Sequence, residues 1–169
     1  MALIIEDGTI IDNANSFANV EECRAFADSR GLTLPADDKA VEVLLVKACD
    51  FLFSLETDFQ GTRVDAEQQL PFPRNSILLY GADISGIVPK VIKQAQCRLA
   101  FDASQGELLA TGSGRVISKE QVGPLQNEYA DDGEDNPQLQ LTAALTILQP
   151  LFADGSAAGG DHCINISTV

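Results

Sequence analysis

A nucleophile in water needs a base beside it, and the side chain that most often serves is histidine. This chain has one, His162, next to Cys163. The preceding stretch from Asp154 to Asp161 is Gly, Ala and Ser with acidic ends, so nothing in the pattern holds that imidazole in a catalytic geometry. The cysteines are Cys23, Cys49, Cys97 and Cys163, widely separated and without a C-x-x-C pair. Zinc sites are built from close ligand pairs, and two adjacent residues at 162 and 163 do not make one. The thiols are therefore expected to be reduced and mostly buried, acting as small hydrophobes. Carboxylates cluster at Asp37-Asp38 and at Asp131-Asp132-Gly133-Glu134-Asp135, read as a helix start and a solvated loop. Neither has the alternating ligand spacing of a calcium-binding loop. No G-x-S-x-G, H-E-x-x-H or G-x-x-x-x-G-K-[ST] occurs, and Gly112-Ser113-Gly114 is too short to cradle a phosphate. The expectation is a non-enzymatic chain with no metal and no cofactor.

Charge narrows the partners. Asp and Glu number 25 against 11 Lys and Arg, for a net charge of −14 over 169 residues. Such a chain is repelled by phosphate backbones and by anionic lipid surfaces. The nearest approach to a basic strip is Lys90, Lys93 and Arg98, with Arg63 and Arg74 in a preceding loop, and it reads as a solvated face. Hydrophobic residues make up 45% of the chain, which excludes wholesale disorder. The longest nearly apolar run, Val41 to Leu55, is broken by Glu42, Lys47, Asp50 and Ser54, so no membrane span is expected. Met1 to Asp7 lack the basic start and small-residue cleavage site of a signal peptide, and export is not expected.

The elements that would position any site are mainly helical. Ala2-Leu3-Ile4-Ile5 and Thr9-Ile10-Ile11 flank Asp7-Gly8, which predicts an N-terminal β-hairpin. Asn15 or Ser16 is the expected cap of a first helix running to about Arg30 and stopped by Gly31. A second helix begins near Pro35, with Val41, Leu44, Leu45, Ala48, Leu52 and Leu55 on one stripe and Val43, Val46 and Phe53 off it. Apolar most of the way round, it is expected to be the core helix. Residues 56–88 lack periodicity, contain Leu70-Pro71-Phe72-Pro73-Arg74, and are too apolar for disorder. They are expected to pack on the helices or on a neighbouring subunit. Pro89 opens a third helix carrying Val91, Ile92, Ala95 and Leu99, ending near Gly106. A second small hairpin is expected within 115–130, around Gly123-Pro124, and Pro137 opens a fourth helix with Leu141, Ala144, Leu145, Leu148 and Phe152 inward. The whole predicts a mainly α, four-helix bundle-like domain over 1–152, followed by a flexible C-terminal arm over 153–169 whose end, Ile164 to Val169, has strand character. Such a tip suits addition to another protein's sheet edge.

The ordered string resembles a known family. Glu6-Asp7-Gly8-Thr9, Ala14-Asn15-Ser16-Phe17, Arg30-Gly31, Lys47-Ala48-Cys49-Asp50-Phe51-Leu52 and Phe59-Gln60-Gly61-Thr62-Arg63 are similar to a family of tailed-bacteriophage neck proteins. Gln69-Leu70-Pro71-Phe72-Pro73-Arg74, Val88-Pro89 and Lys119-Glu120-Gln121-Val122-Gly123-Pro124-Leu125 continue the match, in order, over about residues 3 to 152. Members are head–tail connector or adaptor proteins, and the family also carries the label DnaT-like single-stranded-DNA-binding protein. The family usually has Trp-Pro-Arg where this chain has Phe72-Pro73-Arg74, and a more basic run where it has Ser118-Lys119-Glu120-Gln121.

The resemblance implies a structural virion protein at the head–tail interface, present in the host cytoplasm during assembly. It would form a homo-oligomeric ring, a dodecamer, under the portal protein, extend the channel through which double-stranded DNA passes without specific binding, and meet a downstream neck or tail-completion protein. No membrane partner is implied. Ile164, Asn165, Ile166, Ser167, Thr168 and Val169 would clasp the portal. Arg63, Phe72, Pro73 and Arg74 would shape the long loop against the helices or the neighbouring subunit. The alternative is a single-stranded-DNA-binding accessory protein of replication.

Overall fold

In the computed structural model, residues 2–106, 108, 121–122, 125–126 and 137–153 are described, with 121–122, 125–126 and 137–140 by backbone alone. They form four helices, α1 (Val20–Asp28), α2 (Asp38–Ser54), α3 (Lys90–Gln105) and α4 (Pro137–Leu148). Three short antiparallel pairs accompany them: β1 (Thr62–Arg63) with β2 (Arg74–Asn75), β3 (Leu78–Leu79) with β4 (Ala82–Asp83), and β5 (Gln121–Val122) with β6 (Leu125–Gln126). The chain is mainly α, as its periodicity predicts. The β5–β6 pair falls within the expected second hairpin; the rest of that hairpin and the arm from 154 onward lie outside the described residues.

The N-terminal hairpin does not form. Ile5 makes an isolated parallel bridge with Ser16 instead, and Glu6 explains why. Its buried carboxylate accepts the backbone N–H groups of Gly8 (2.7 Å), Ile10 (3.0 Å) and Ile11 (2.9 Å). Hydrogen bonds to an ionised acceptor are stronger than neutral ladder bonds, so the segment curls round its own side chain. The expected cap also moves. Asn15 and Ser16 are used within this loop, Asn15 Oδ1 accepting from Ile4 N at 2.8 Å and Ser16 Oγ donating to Ala18 O at 2.6 Å. The cap of α1 is Asn19, in a reciprocal capping box with Glu22.

The end of α1 follows the pattern. Leu32 N donates to Ala27 O at 3.0 Å and Gly31 N to Asp28 O at 3.2 Å, with Gly31 at φ +65°. That is the crossed pair of bonds by which a left-handed residue closes a helix.

Helix α2 buries Val41, Leu44, Leu45, Ala48, Cys49, Phe51 and Leu52. It is not the central helix. α3 packs against α1, α2 and α4, because Ala95, Ala100 and Ala103 among Ile92 and Leu99 let three neighbours approach it. Of the three α2 residues off its stripe, Val46 is half-buried while Val43 and Phe53 remain 47% and 46% exposed. Fully burying one large apolar side chain is worth about 1.5–3 kcal/mol, so these two represent stabilisation the isolated chain does not collect.

Candidate functional site

The stretch 56–88 is folded throughout. Its organiser is Arg74, 5% exposed, whose guanidinium points inward at backbone carbonyls. Nε donates to Gln60 O at 2.7 Å, Nη2 to Gly61 O at 2.8 Å and Phe59 O at 3.5 Å, and Nη1 to Pro71 O at 3.3 Å. A loop with few ladder bonds has many carbonyls to satisfy, and a planar five-donor group satisfies several at once. Arg63 works beside it. It forks onto both oxygens of Glu56, with Nη2 to Oε2 at 2.7 Å, and its Nη1 reaches Gln68 O at 2.8 Å. Glu56 also lies 3.6 Å from Arg74 Nη1, so one carboxylate stands between two guanidinium groups. The Arg63 hydrogen bond holds the Glu56 carboxyl below its ordinary value, against burial. Burial lowers Arg74, with Glu56 opposing.

Phe72 is fully buried and joins an aromatic chain. It meets Phe17 edge-on at 6.5 Å and Phe59 edge-on at 5.2 Å, and Phe59 stacks on Phe152 at 5.3 Å. Pro73 follows through a cis peptide bond and is buried with it. Thus Arg63, Phe72, Pro73 and Arg74 are brought together and shape the loop within one chain. Ile164 to Val169 lie outside the described residues.

Three glutamines tie these segments together, two in the loop and one on α3. Gln60 Nε2 donates to Pro150 O (3.1 Å) and Phe152 O (3.2 Å), and its Oε1 accepts from Leu78 N at 3.2 Å, tying the loop to the end of α4. Gln68 accepts from Val64 N and Asp65 N and donates to Leu70 O and Pro73 O. Gln96, on the inner side of α3, holds the segment that enters α1. Only the two-way bonding of a side-chain amide, buried at Gln68 and Gln96 and half-buried at Gln60, makes these positions special, and sequence spacing does not encode it.

What the surface offers follows from what the interior consumes. Of the expected basic strip, Lys93 lies 3.4 Å from Glu22, and Arg98 is spent on Asp102 and the Phe101 ring. Arg24 is paired with Asp38 at 2.7 Å, and Arg30 lies over the Phe26 ring. Lys39 and Lys90 are exposed but stand on different helices. Apolar side chains are exposed instead. Leu78 and Tyr80 on the β3–β4 hairpin are 53% and 83% exposed, and Ile87 just after it 54%. Tyr80 sits in the turn at φ +51°, a conformation that costs a non-glycine residue about 1–2 kcal/mol. Among the described residues no grouping of three His, Cys, Asp or Glu is placed to hold a metal ion, and no helix is long and apolar enough to cross a membrane.

A shallow cleft between α1 and the start of α2 is lined by Val20, Glu21, Arg24, Ala25, Asp28 and Asp38, with Arg24 already neutralised by Asp38. It brings no reactive group together.

No curated protein and no solved structure matches this chain. One family does, over residues 1–167, and the chain belongs to it: the family described as "Putative DnaT-like ssDNA binding protein".

Proposed function

We propose that the chain is a non-catalytic assembly protein, a head–tail adaptor whose bundle-like domain joins copies of itself in a ring beneath a portal. The observation that carries this reading is the inward turn of Arg63 and Arg74 together with the outward turn of Leu78, Tyr80 and Ile87. Guanidinium groups committed to backbone carbonyls and to Glu56 are not free to meet phosphates. An exposed apolar hairpin on a chain of net charge −14 suits a protein surface better than a nucleic acid. The neck-protein resemblance supplies the particular assembly. In that setting an acidic wall would let DNA slide past, and the tip at Ile164 to Val169 would order on contact with the portal.

The family's description favours the second reading, single-stranded DNA binding, more than it favours the neck. Tyr80 is the feature of this chain that suits it, since an exposed aromatic ring can stack on a base.

One experiment separates the two. The purified chain is co-sedimented with the portal protein encoded in the same genome at physiological salt, and titrated in parallel with a labelled single-stranded oligonucleotide over a salt series. The adaptor reading expects stable comigration near one copy per portal subunit and no oligonucleotide binding. Binding that weakens steeply with salt, without comigration, would establish the DNA reading and overturn ours.

A further inference from the structure

Two apolar patches stay uncovered, and different elements carry them. The first is the outer face of α2. Val43, Val46, Asp50 and Phe53 follow one another at steps of three, four and three residues, so they line one side of the helix, away from its buried stripe. Val64, 38% exposed, extends this patch onto the long loop, because its neighbour Arg63 lies over the Phe53 ring at 5.5 Å. The second patch is Leu78, Tyr80 and Ile87. Ile84 N donates to Ile77 O and Ile87 N to Ile84 O, both at 3.1 Å, which draws Ile87 back to the base of the β3–β4 hairpin. Among the described residues α2 packs on α1, α3 and Glu56–Asp58, and strand β3 of the hairpin on Gln149–Leu151 beyond α4; α2 meets neither α4 nor the hairpin. The two patches do not cover each other within one chain.

We propose that they cover each other between chains: the β3–β4 hairpin of one copy lies on the outer face of α2 of the next. Charge argues for a second copy as the occupant. A chain of net charge −14 repels its own kind, so a contact between copies needs opposite charges on its two sides. The α2 stripe holds one of them, the exposed carboxylate of Asp50 between Val46 and Phe53. The other stands beside the hairpin patch, where exposed Lys90 begins α3 three residues after Ile87. Docked, Lys90 of one copy meets Asp50 of the next while the apolar side chains around them leave water. A phosphate backbone laid on the same stripe would meet Asp50 and be repelled. Because the two surfaces differ, the contact is head-to-tail, and contacts of that kind continue from copy to copy until a ring closes. The inference rests on the adaptor reading and names the surfaces that would join its ring.

The test uses the full chain alone at physiological salt, with its mass followed by sedimentation over a concentration series. The wild type is expected to grow beyond a dimer as concentration rises. Val43→Glu blocks the α2 face and Tyr80→Asp blocks the hairpin, both at exposed positions, and each variant alone is expected to run as a monomer. Mixed in equal amounts they still offer one intact α2 face and one intact hairpin, so the expected product is a dimer that grows no further. Asp50→Lys and Lys90→Glu should each weaken association about 10-fold or more, and the two combined in one chain should restore it. That pair decides the question where Val43→Glu or Tyr80→Asp loses its fold. A wild type that stays monomeric at every concentration, a variant that associates as the wild type does, or a mixture without the dimer would overturn the proposal. No portal is present in these samples, so failure here is distinct from failure of the adaptor reading, which portal comigration decides.

Discussion

Gln96 Nε2 donates to Ser16 Oγ at 2.8 Å, and that hydroxyl passes the bond on to Ala18 O at 2.6 Å. The same amide gives its second proton to Leu45 O at 3.0 Å, while its oxygen accepts the N–H groups of Phe17 and Ala18, both at 2.9 Å. One side chain on α3 thereby fixes the segment entering α1 and the middle of α2. Gln96→Leu keeps the volume and strands the Phe17 and Ala18 N–H groups in the interior, while Leu45 O keeps its helical bond and Ser16 Oγ still donates to Ala18 O. It should cost about 3 kcal/mol in urea unfolding, since each stranded group costs roughly 1–3 kcal/mol before partial relaxation. A loss below about 1 kcal/mol would mean that water enters and replaces the amide.

Gly61 and Gly31 both have positive φ, yet their substitutions should differ. A Cβ at Gly61 would lie 2.0 Å from Asn75 O, across the β1–β2 pairing, whereas one at Gly31 meets nothing within 4 Å. Gly31→Ala therefore bears only the backbone cost, about 1–2 kcal/mol. Gly61→Ala must also push β2 away from Arg74's carbonyls and should cost about 3 kcal/mol or more. Equal Tm losses for the two variants would refute the steric argument.

Two carboxylates impose opposite pH dependences. Glu56 is held below its ordinary 4.5 by the Arg63 hydrogen bond, so its contribution is present above that value and is lost as pH falls through the folded one. Asp102 is raised above its ordinary 3.8 chiefly by burial, so its contribution is present below 3.8 and is lost as pH rises through the folded value. Geometry agrees for Asp102. Arg98 Nε lies 3.1 Å from Oδ1 but bonds Oδ2 at 3.3 Å, and buried Oδ1 has no hydrogen bond. In a Tm-against-pH series, Glu56→Gln should flatten the acid limb, and Asp102→Asn should remove a decline above pH 3.8 at little cost near neutrality.

Tyr80 should prove dispensable for folding. Tyr80→Asn relieves the left-handed turn and removes an exposed ring, so Tm should hold or rise, by up to about 1 kcal/mol in stability. Under the adaptor reading the same variant lowers portal comigration. An intact comigration would place the docking surface elsewhere than the β3–β4 hairpin.

The legible parts of this protein were those where one physical factor dominates. The α2 stripe from Val41 to Leu52 shows in its period, and Gly31 ends α1 where a left-handed stop belongs. Arg63, Phe72, Pro73 and Arg74 stand out in the sequence only through the family resemblance, and nothing in their spacing shows that Glu56 lies between the two arginines. Competition between factors hid the rest. Asp7-Gly8 is a strong turn signal, but the carboxylate one residue earlier offers the strands' donors a better acceptor. Gln96 and Asp102 occupy positions on α3 that the helical period assigns to apolar side chains, and only the packed interior shows what each of them meets. The α2 helix looked central because it is apolar most of the way round; the small residues of α3 decided otherwise.

The Glu6 carboxylate has one more consequence. Ile4-Ile5 and Ile10-Ile11 are β-branched pairs near the start of the chain, and in an extended ribbon they would present an open edge on which further chains could stack. By gathering the N–H groups of Gly8, Ile10 and Ile11 onto itself, Glu6 removes those donors from intermolecular pairing. The chain is thereby guarded against amyloid-like growth from its own first residues. That protection depends on a single side chain.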